Sequence, residues 1–75
     1  MPEVNEFLPQ NLRRLRLAAG YTQTQMGEML GIKQTSYSQW ETGTTRIPSY
    51  ALQTLAFLLN CTIDQLLEER KEETE

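Results

Sequence analysis

Residues Tyr21–Gly43 read YTQTQMGEMLGIKQTSYSQWETG, which contains two short helical patterns separated by one glycine. Thr22 and Gln25 form a capping-box pair, in which each side chain can bond the other residue's backbone amide. An apolar stripe follows and ends at a glycine; it consists of Met26, Met29 and Leu30. The pattern therefore predicts a helix over Gln23–Leu30.

The second pattern runs from about Lys33 to Thr42 and has two chemically different sides. Tyr37 and Trp40 share one side, where we expect them to be core residues rather than base-stacking platforms. The other side carries small hydroxyls and glutamines. Gly31 lies where a tight turn between helices needs a positive φ. Two helices joined by so short a glycine-containing turn are typical of a helix-turn-helix.

Helical spacing on either side predicts three more helices, over about Pro9–Ala19, over about Ser49–Asn60, and from Thr62 onward. No β-branched run alternates for long enough to form a strand. We therefore expect an all-α, compact five-helix bundle as one domain over residues 9–67. Residues 1–8 are interpreted as a flexible arm, and residues 68–75 as an acidic, disordered tail.

Composition argues against an enzyme or a metalloprotein. The 75 residues contain no histidine and one cysteine, Cys61, which suits a reducing cytoplasm. Phosphate-binding glycine loops and nucleophile motifs are missing, and no cofactor, metal site, small-molecule ligand, signal peptide or membrane span is predicted.

The net charge of −3 is unusual for a nucleic-acid binder, but it is unevenly distributed. The first 60 residues carry a net charge of +1, whereas the last 15 carry −4. The body is therefore nearly neutral, and charge alone does not indicate DNA.

Tyr21–Gly43, followed by IPSYALQTLAFLLNCTIDQLL, resembles the phage-repressor family of helix-turn-helix regulators, the Cro and lambda-repressor-like or Xre-type domains. The resemblance covers roughly residues 9–67. It implies that Gln23 anchors a DNA phosphate, that Arg16 and Glu41 form a partly buried ion pair, and that residues 43–49 follow the DNA backbone. It also implies that the third helix reads the major groove through Lys33, Gln34, Thr35, Ser38 and Gln39.

The chemistry of these side chains is compatible with that role. A glutamine can satisfy N6 and N7 of adenine together, and Thr35 offers a methyl group and a hydroxyl. Phosphate contacts would come mainly from neutral donors, which include Thr44 and Thr45 of the loop. Lys33 and the loop residue Arg46 would supply the nearby positive charge. Gly27 departs from the family's preferred alanine, which should cost roughly 0.5–1 kcal/mol within a helix. Lys33 replaces the usual Ser or Thr cap.

The sequence thus favours a DNA-binding transcriptional regulator that pairs as a homodimer on a pseudo-palindromic operator. The dimer contact is expected around Leu66 and Leu67, because we expect these leucines of the last helix to be exposed. A protein-interaction module, such as an antitoxin or co-regulator, stays open because positive charge is low. Taken alone, the polar face of the third helix is better explained as a solvated surface; the helix-turn-helix spacing and Gln23 together favour DNA reading.

Overall fold

The chain folds into helices joined by short turns, and the computed structural model describes residues 6–69. In chain order the helices are α1 (Leu8–Ala19), α2 (Gln23–Leu30), α3 (Gln34–Thr42), α4 (Ser49–Leu58) and α5 (Ile63–Leu67). Since residues 6–69 contain no strand, the all-α prediction is confirmed. No helix in this part of the chain is both long and apolar enough to span a membrane.

The predicted capping box at Thr22 and Gln25 is present, and Thr62 and Gln65 form a second one. The hydroxyls of Thr22 and Thr62 accept hydrogen bonds from the backbone amides of Gln25 and Gln65, at 3.1 and 3.0 Å. Each glutamine side chain accepts in return from the amide of its threonine, at 2.8 Å. These reciprocal bonds satisfy amides that a helix start leaves without partners. α2 begins at Gln23 as predicted, and α5 begins at Ile63, one residue after the predicted Thr62.

The bounds of α3 and α4 also differ slightly from the predictions. α3 begins at Gln34, since Lys33 is the N-cap residue, with an extended backbone and no side-chain capping bond. α4 ends at Leu58 instead of Asn60, which adopts a left-handed φ of 54° and so cannot continue a helix.

The core lies between the five helices and is formed mainly by aliphatic side chains. Tyr37 and Trp40 are both buried within it, with ring centroids 6.1 Å apart and planes inclined at 59°. Their predicted core role is therefore confirmed. The other fully or nearly fully buried apolar residues are Leu8, Leu12, Met26, Ile47, Ala51, Leu55, Ala56, Leu59 and Leu66.

A buried polar residue, Asn11, connects the two ends of the domain. Its Nδ2 donates to the carbonyl oxygen of Leu66 at 2.7 Å and to that of Glu68 at 2.8 Å. Its Oδ1 accepts from Arg14 at 3.3 Å. The amide thus satisfies carbonyls at the end of α5, where a helix leaves such groups without partners.

The structure corrects the expected dimer contact around Leu66 and Leu67. Leu66 is wholly buried and Leu67 packs against the core, so these leucines do not form a free surface. Their burial follows from the packing of α5 against α1, which a local pattern does not reveal. Leu8 belongs to α1 and to the core rather than to an arm, and Glu68 is bonded to Asn11. Of the predicted arm and tail, residues 1–5 and 70–75 lie outside the described residues.

Candidate nucleic-acid interface

The turn between α2 and α3 holds the two helices in close contact. Gly31 adopts a φ of 74°, and the amide of Ile32 donates to the carbonyl of Gly27 at 2.9 Å. The backbone of α2 also approaches the start of α3 at Gly27. A Cβ atom there would lie 2.9 Å from the carbonyl oxygen of Ile32 and 3.2 Å from the amide nitrogen of Gln34. Glycine is therefore needed at this crossing, and alanine would not fit without movement.

A buried ion pair fixes α3 against α1. The guanidinium of Arg16 donates from Nε to Oε2 of Glu41 at 2.6 Å and from Nη2 to Oε1 at 3.1 Å. Arg16 also donates to the carbonyl of Tyr21, just before α2. Because this bidentate arrangement spans α1, the start of α2 and the end of α3, it sets how the helix-turn-helix is held on the rest of the domain.

Tyr37 completes the cluster from within α3. Its hydroxyl donates to Oε2 of Glu41 at 2.5 Å. Burial, followed by the hydrogen bond to Glu41, raises the pKa of Tyr37, so the phenol stays a neutral donor. Burial alone would raise the pKa of Glu41, but hydrogen bonds from Arg16, Tyr37 and Gln23 outweigh it and lower that pKa. The carboxylate is therefore charged and fully used as an acceptor.

Two glutamines extend this cluster to the surface. Gln23, the first residue of α2, donates from Nε2 to Oε1 of Glu41 at 3.0 Å. Its own Oε1 accepts from Nε2 of Gln34, the first residue of α3, at 3.2 Å. Gln23 is half-buried and Gln34 is exposed. The structure therefore brings together the residues to which the resemblance assigns a phosphate contact and a base contact.

The remaining predicted site residues lie along α3 and the loop that follows it. Gln39 accepts at Oε1 from the hydroxyl of Thr45 at 3.0 Å, so the loop is tied to the helix. A second bond of 2.8 Å joins the hydroxyls of Thr42 and Thr44. Ser38 is half-buried, and the exposed members of the set are Lys33, Gln34, Thr35, Gln39, Thr44, Thr45 and Arg46.

Two features of this surface were not predicted from the sequence. The bond from Tyr37 to Glu41 has a local signal, because residues four apart on a helix are neighbours. The bond from Gln23 to Glu41 has none, since it joins the first residue of one helix to the penultimate residue of the next. Only the crossing of α2 over α3 brings these two side chains together.

Two helices crossing over a short turn, with a polar exposed side on the second helix, define a helix-turn-helix DNA-binding domain. Residues 12–66 match the family model described as Helix-turn-helix. The chain therefore belongs to this family of phage-repressor-like, Xre-type domains, and it is a DNA-binding regulator in general terms. Comparisons with curated proteins and with solved structures gave no match.

Proposed function

We propose that this protein is a sequence-specific transcriptional regulator that reads the major groove of double-stranded DNA with α3. The observation that carries the proposal is the paired arrangement of Gln23 and Gln34. The side-chain amide of Gln23, at the start of α2, lies beside the exposed side-chain amide of Gln34, at the start of α3. In the helix-turn-helix mode of docking, the N-terminal residues of the second helix contact base edges while the first helix crosses the backbone.

Base reading falls to the polar side of α3. Gln34 and Ser38 are four residues apart and so lie on one line of the helix, as do Thr35 and Gln39. Glutamine and serine or threonine side chains recognise base edges through hydrogen bonds, and the Thr35 methyl can contact thymine. This surface is uncharged except for Lys33 at its edge, so selectivity would come from hydrogen-bond pattern and shape rather than from charge.

Phosphate contacts are proposed on both sides of α3. Gln23 can use its second Nε2 hydrogen, since the first is bonded to Glu41. On the other side, the exposed loop residues Thr44, Thr45 and Arg46 can reach the backbone. Such contacts position the protein on the duplex without specifying sequence.

The test is selection from a random duplex library at moderate salt, with wild type beside Gln34→Ala. Wild type should enrich an inverted repeat. The variant should bind it more weakly, by roughly 1–3 kcal/mol, and lose preference at one base pair. Ser36→Ala is the matched control, because Ser36 is exposed on α3 but lies about 200° around the helix from Gln34.

Three outcomes are informative. An inverted repeat enriched by wild type and altered only by Gln34→Ala supports the proposal. Unchanged base preference in Gln34→Ala means that another residue reads the base. Failure to enrich any sequence, with folding verified by circular dichroism, overturns DNA reading and favours the interaction-module alternative, in which the same bundle holds a protein partner.

We further propose that two copies bind together, with their α3 helices in successive major grooves about 34–36 Å apart. Since Leu66 is buried, the contact has to use another surface. Tyr50 and Phe57 are 82% and 84% exposed, and they are seven residues apart on α4, which places them on one line of that helix. Exposed aromatic side chains of this size commonly mark interaction sites.

Charge favours a second copy as the occupant of this α4 face. From Ile47 to Ile63 the sequence contains no charged residue. In a two-fold contact, a residue close to the symmetry axis lies near its own symmetry mate, so a charge at such a position would meet its like. A neutral face avoids that repulsion, whereas a face made for an acidic or basic partner would carry charge of its own.

Phe57→Glu tests the contact, because it brings two like charges together across the two-fold axis. It should abolish self-association in sedimentation equilibrium and reduce affinity for a duplex with two half-sites, while binding to one half-site is retained. Leu17→Glu, which places the same charge on an exposed leucine of α1, should change neither. Equal effects of the two variants, or none from Phe57→Glu, would exclude this face.

A further inference from the structure

The hydrogen-bond chain from Glu41 through Gln23 to Gln34 has only one possible direction. A carboxylate can only accept, so the group that Gln23 presents to Glu41 has to be its Nε2. The oxygen of Gln23 then faces α3, and Gln34 has to meet it with its own Nε2. Reversing either amide would oppose two acceptors or two donors.

We propose that Glu41 is a positioning residue for sequence recognition, and that through Gln23 it locks the orientation of the Gln34 amide. The inference rests on the proposed function, since it concerns how the same surface discriminates bases. Glu41 itself is buried and never touches DNA; its influence reaches the surface through two side-chain bonds of 3.0 and 3.2 Å. Its ion pair with Arg16 thus has a second consequence besides holding the helices together.

The locked orientation favours adenine over guanine. One Nε2 hydrogen of Gln34 is bonded to Gln23, so one N–H and the Oε1 lone pairs are available to a base. Adenine presents an N6 donor and an N7 acceptor, which match these two groups. Guanine presents acceptors at both positions, so it would require the amide to turn and place Nε2 opposite O6. The bond to Gln23 opposes that turn.

Gln39 provides a contrast within the same helix. Its amide oxygen accepts from the hydroxyl of Thr45 at 3.0 Å. A hydroxyl can donate or accept, so this partner permits both orientations of the Gln39 amide. Gln34 is therefore the selective glutamine, and Gln39 is the adaptable one.

The experiment compares base preference in library selections for wild type and three variants. Gln23→Met breaks the chain but leaves the Arg16–Glu41 pair intact. Glu41→Gln in an Arg16→Met background keeps a partner for Gln23 but removes the acceptor-only end of the chain. Ser36→Ala is the matched control, because Ser36 is exposed on α3 and belongs to no proposed DNA contact.

Wild type should prefer adenine to guanine at one position by about 5- to 150-fold, as for a good bidentate pair. In Gln23→Met and in the double variant this ratio should fall to about threefold or less, while Ser36→Ala keeps it. A phosphate anchor without any positioning role would instead weaken binding to all sequences equally. The inference is overturned if Gln23→Met retains the adenine-to-guanine ratio, or if the double variant does.

Failure of the proposed function gives a different result, namely a wild type that enriches no sequence at all. Should the double variant not fold, the side-chain amide of Gln34 in free wild type decides the question by NMR. Slow exchange of one Nε2 hydrogen with water, and fast exchange of the other, is expected from a single bond to Gln23. Equally fast exchange of both hydrogens contradicts the locked orientation.

Discussion

Gly27 of α2 lies directly against the backbone of Ile32, such that a Cβ atom added to the glycine would be 2.9 Å from the Ile32 carbonyl oxygen. A side chain here would meet backbone, including the amide and Cα of Gln34 at 3.2 and 3.3 Å, and backbone cannot rotate away. The usual gain from alanine within a helix is therefore reversed at this position, contrary to the expectation from the family's preference.

Gly27→Ala should destabilise the protein by about 1–3 kcal/mol, because the steric cost of overpacking exceeds the roughly 0.5–1 kcal/mol of helix propensity gained. Urea unfolding followed by circular dichroism measures the change. Thr24→Ala is the control, since Thr24 is exposed on the same helix and should show little loss. A Gly27→Ala protein as stable as wild type would mean that α2 and α3 separate at no cost.

Acid should weaken the fold through Glu41. Its pKa in the folded protein is below the ordinary value of 4.5, so the unfolded chain takes up the proton first as pH falls. The stability contributed by the carboxylate is therefore complete above pH 4.5, and it is lost progressively as pH falls through the folded-state pKa. Urea unfolding between pH 7 and pH 3 measures this loss.

The control for the acid effect is the double variant Arg16→Met, Glu41→Leu, which lacks both charges. Its unfolding free energy should depend less on pH below 4.5 than that of wild type. The single variant Arg16→Met should be less stable than the double at neutral pH, because it leaves a buried carboxylate without its cation. Parallel pH curves for wild type and double variant would assign the acid loss to other groups.

The parts of the fold that follow from neighbouring residues could be predicted from the sequence. The capping boxes at Thr22 and Thr62 each involve residues three apart, and Gly31 marks its turn by itself. Likewise, Tyr37 and Trp40 belong to the core because they share a helix face with apolar neighbours. Each of these signals involves residues that are close in sequence, so it can be recognised without the tertiary structure.

The parts that depend on distant residues could not be predicted in this way. Leu66 looks like a free leucine until α1 packs against α5 and buries it. Phe57 is mostly exposed although α4 is largely apolar, because the core takes up the face that carries Leu55 and Leu59. Which side of an apolar helix is buried depends on what lies opposite, and that is a tertiary property.

The candidate site shows the same division. The polar composition of α3 is visible in the sequence, but the orientation of its amides is not. That orientation depends on Glu41 meeting Gln23 across two helices. The burial of Asn11 was not predicted, although the sequence contains a signal for it. Asn11 lies three residues after Leu8 and one before Leu12, both of which are in the core.

Replacing Asn11 should detach the end of α5 from α1. Both Nδ2 hydrogens of this buried amide bond backbone carbonyls, and Asn11→Ala would leave the carbonyls of Leu66 and Glu68 without their donor. We expect a loss of about 1–3 kcal/mol, as for other buried groups left unsatisfied. Hydrogen exchange should show faster opening of α5. Gln10→Ala, at the exposed neighbouring position, should leave both measurements unchanged.

Binding to DNA should depend only weakly on salt. Between Tyr21 and Ser49 the sequence contains two basic residues, Lys33 and Arg46, so most proposed phosphate contacts are neutral. Neutral donors release few counterions, and we expect the plot of log affinity against log salt to have a slope no steeper than about −5. Lys33→Gln should make the slope shallower by about 1, whereas Gln39→Ala should change base preference and leave the slope alone. A steeper wild-type slope would show that further cations, such as Arg13 and Arg14 of α1, reach the DNA backbone.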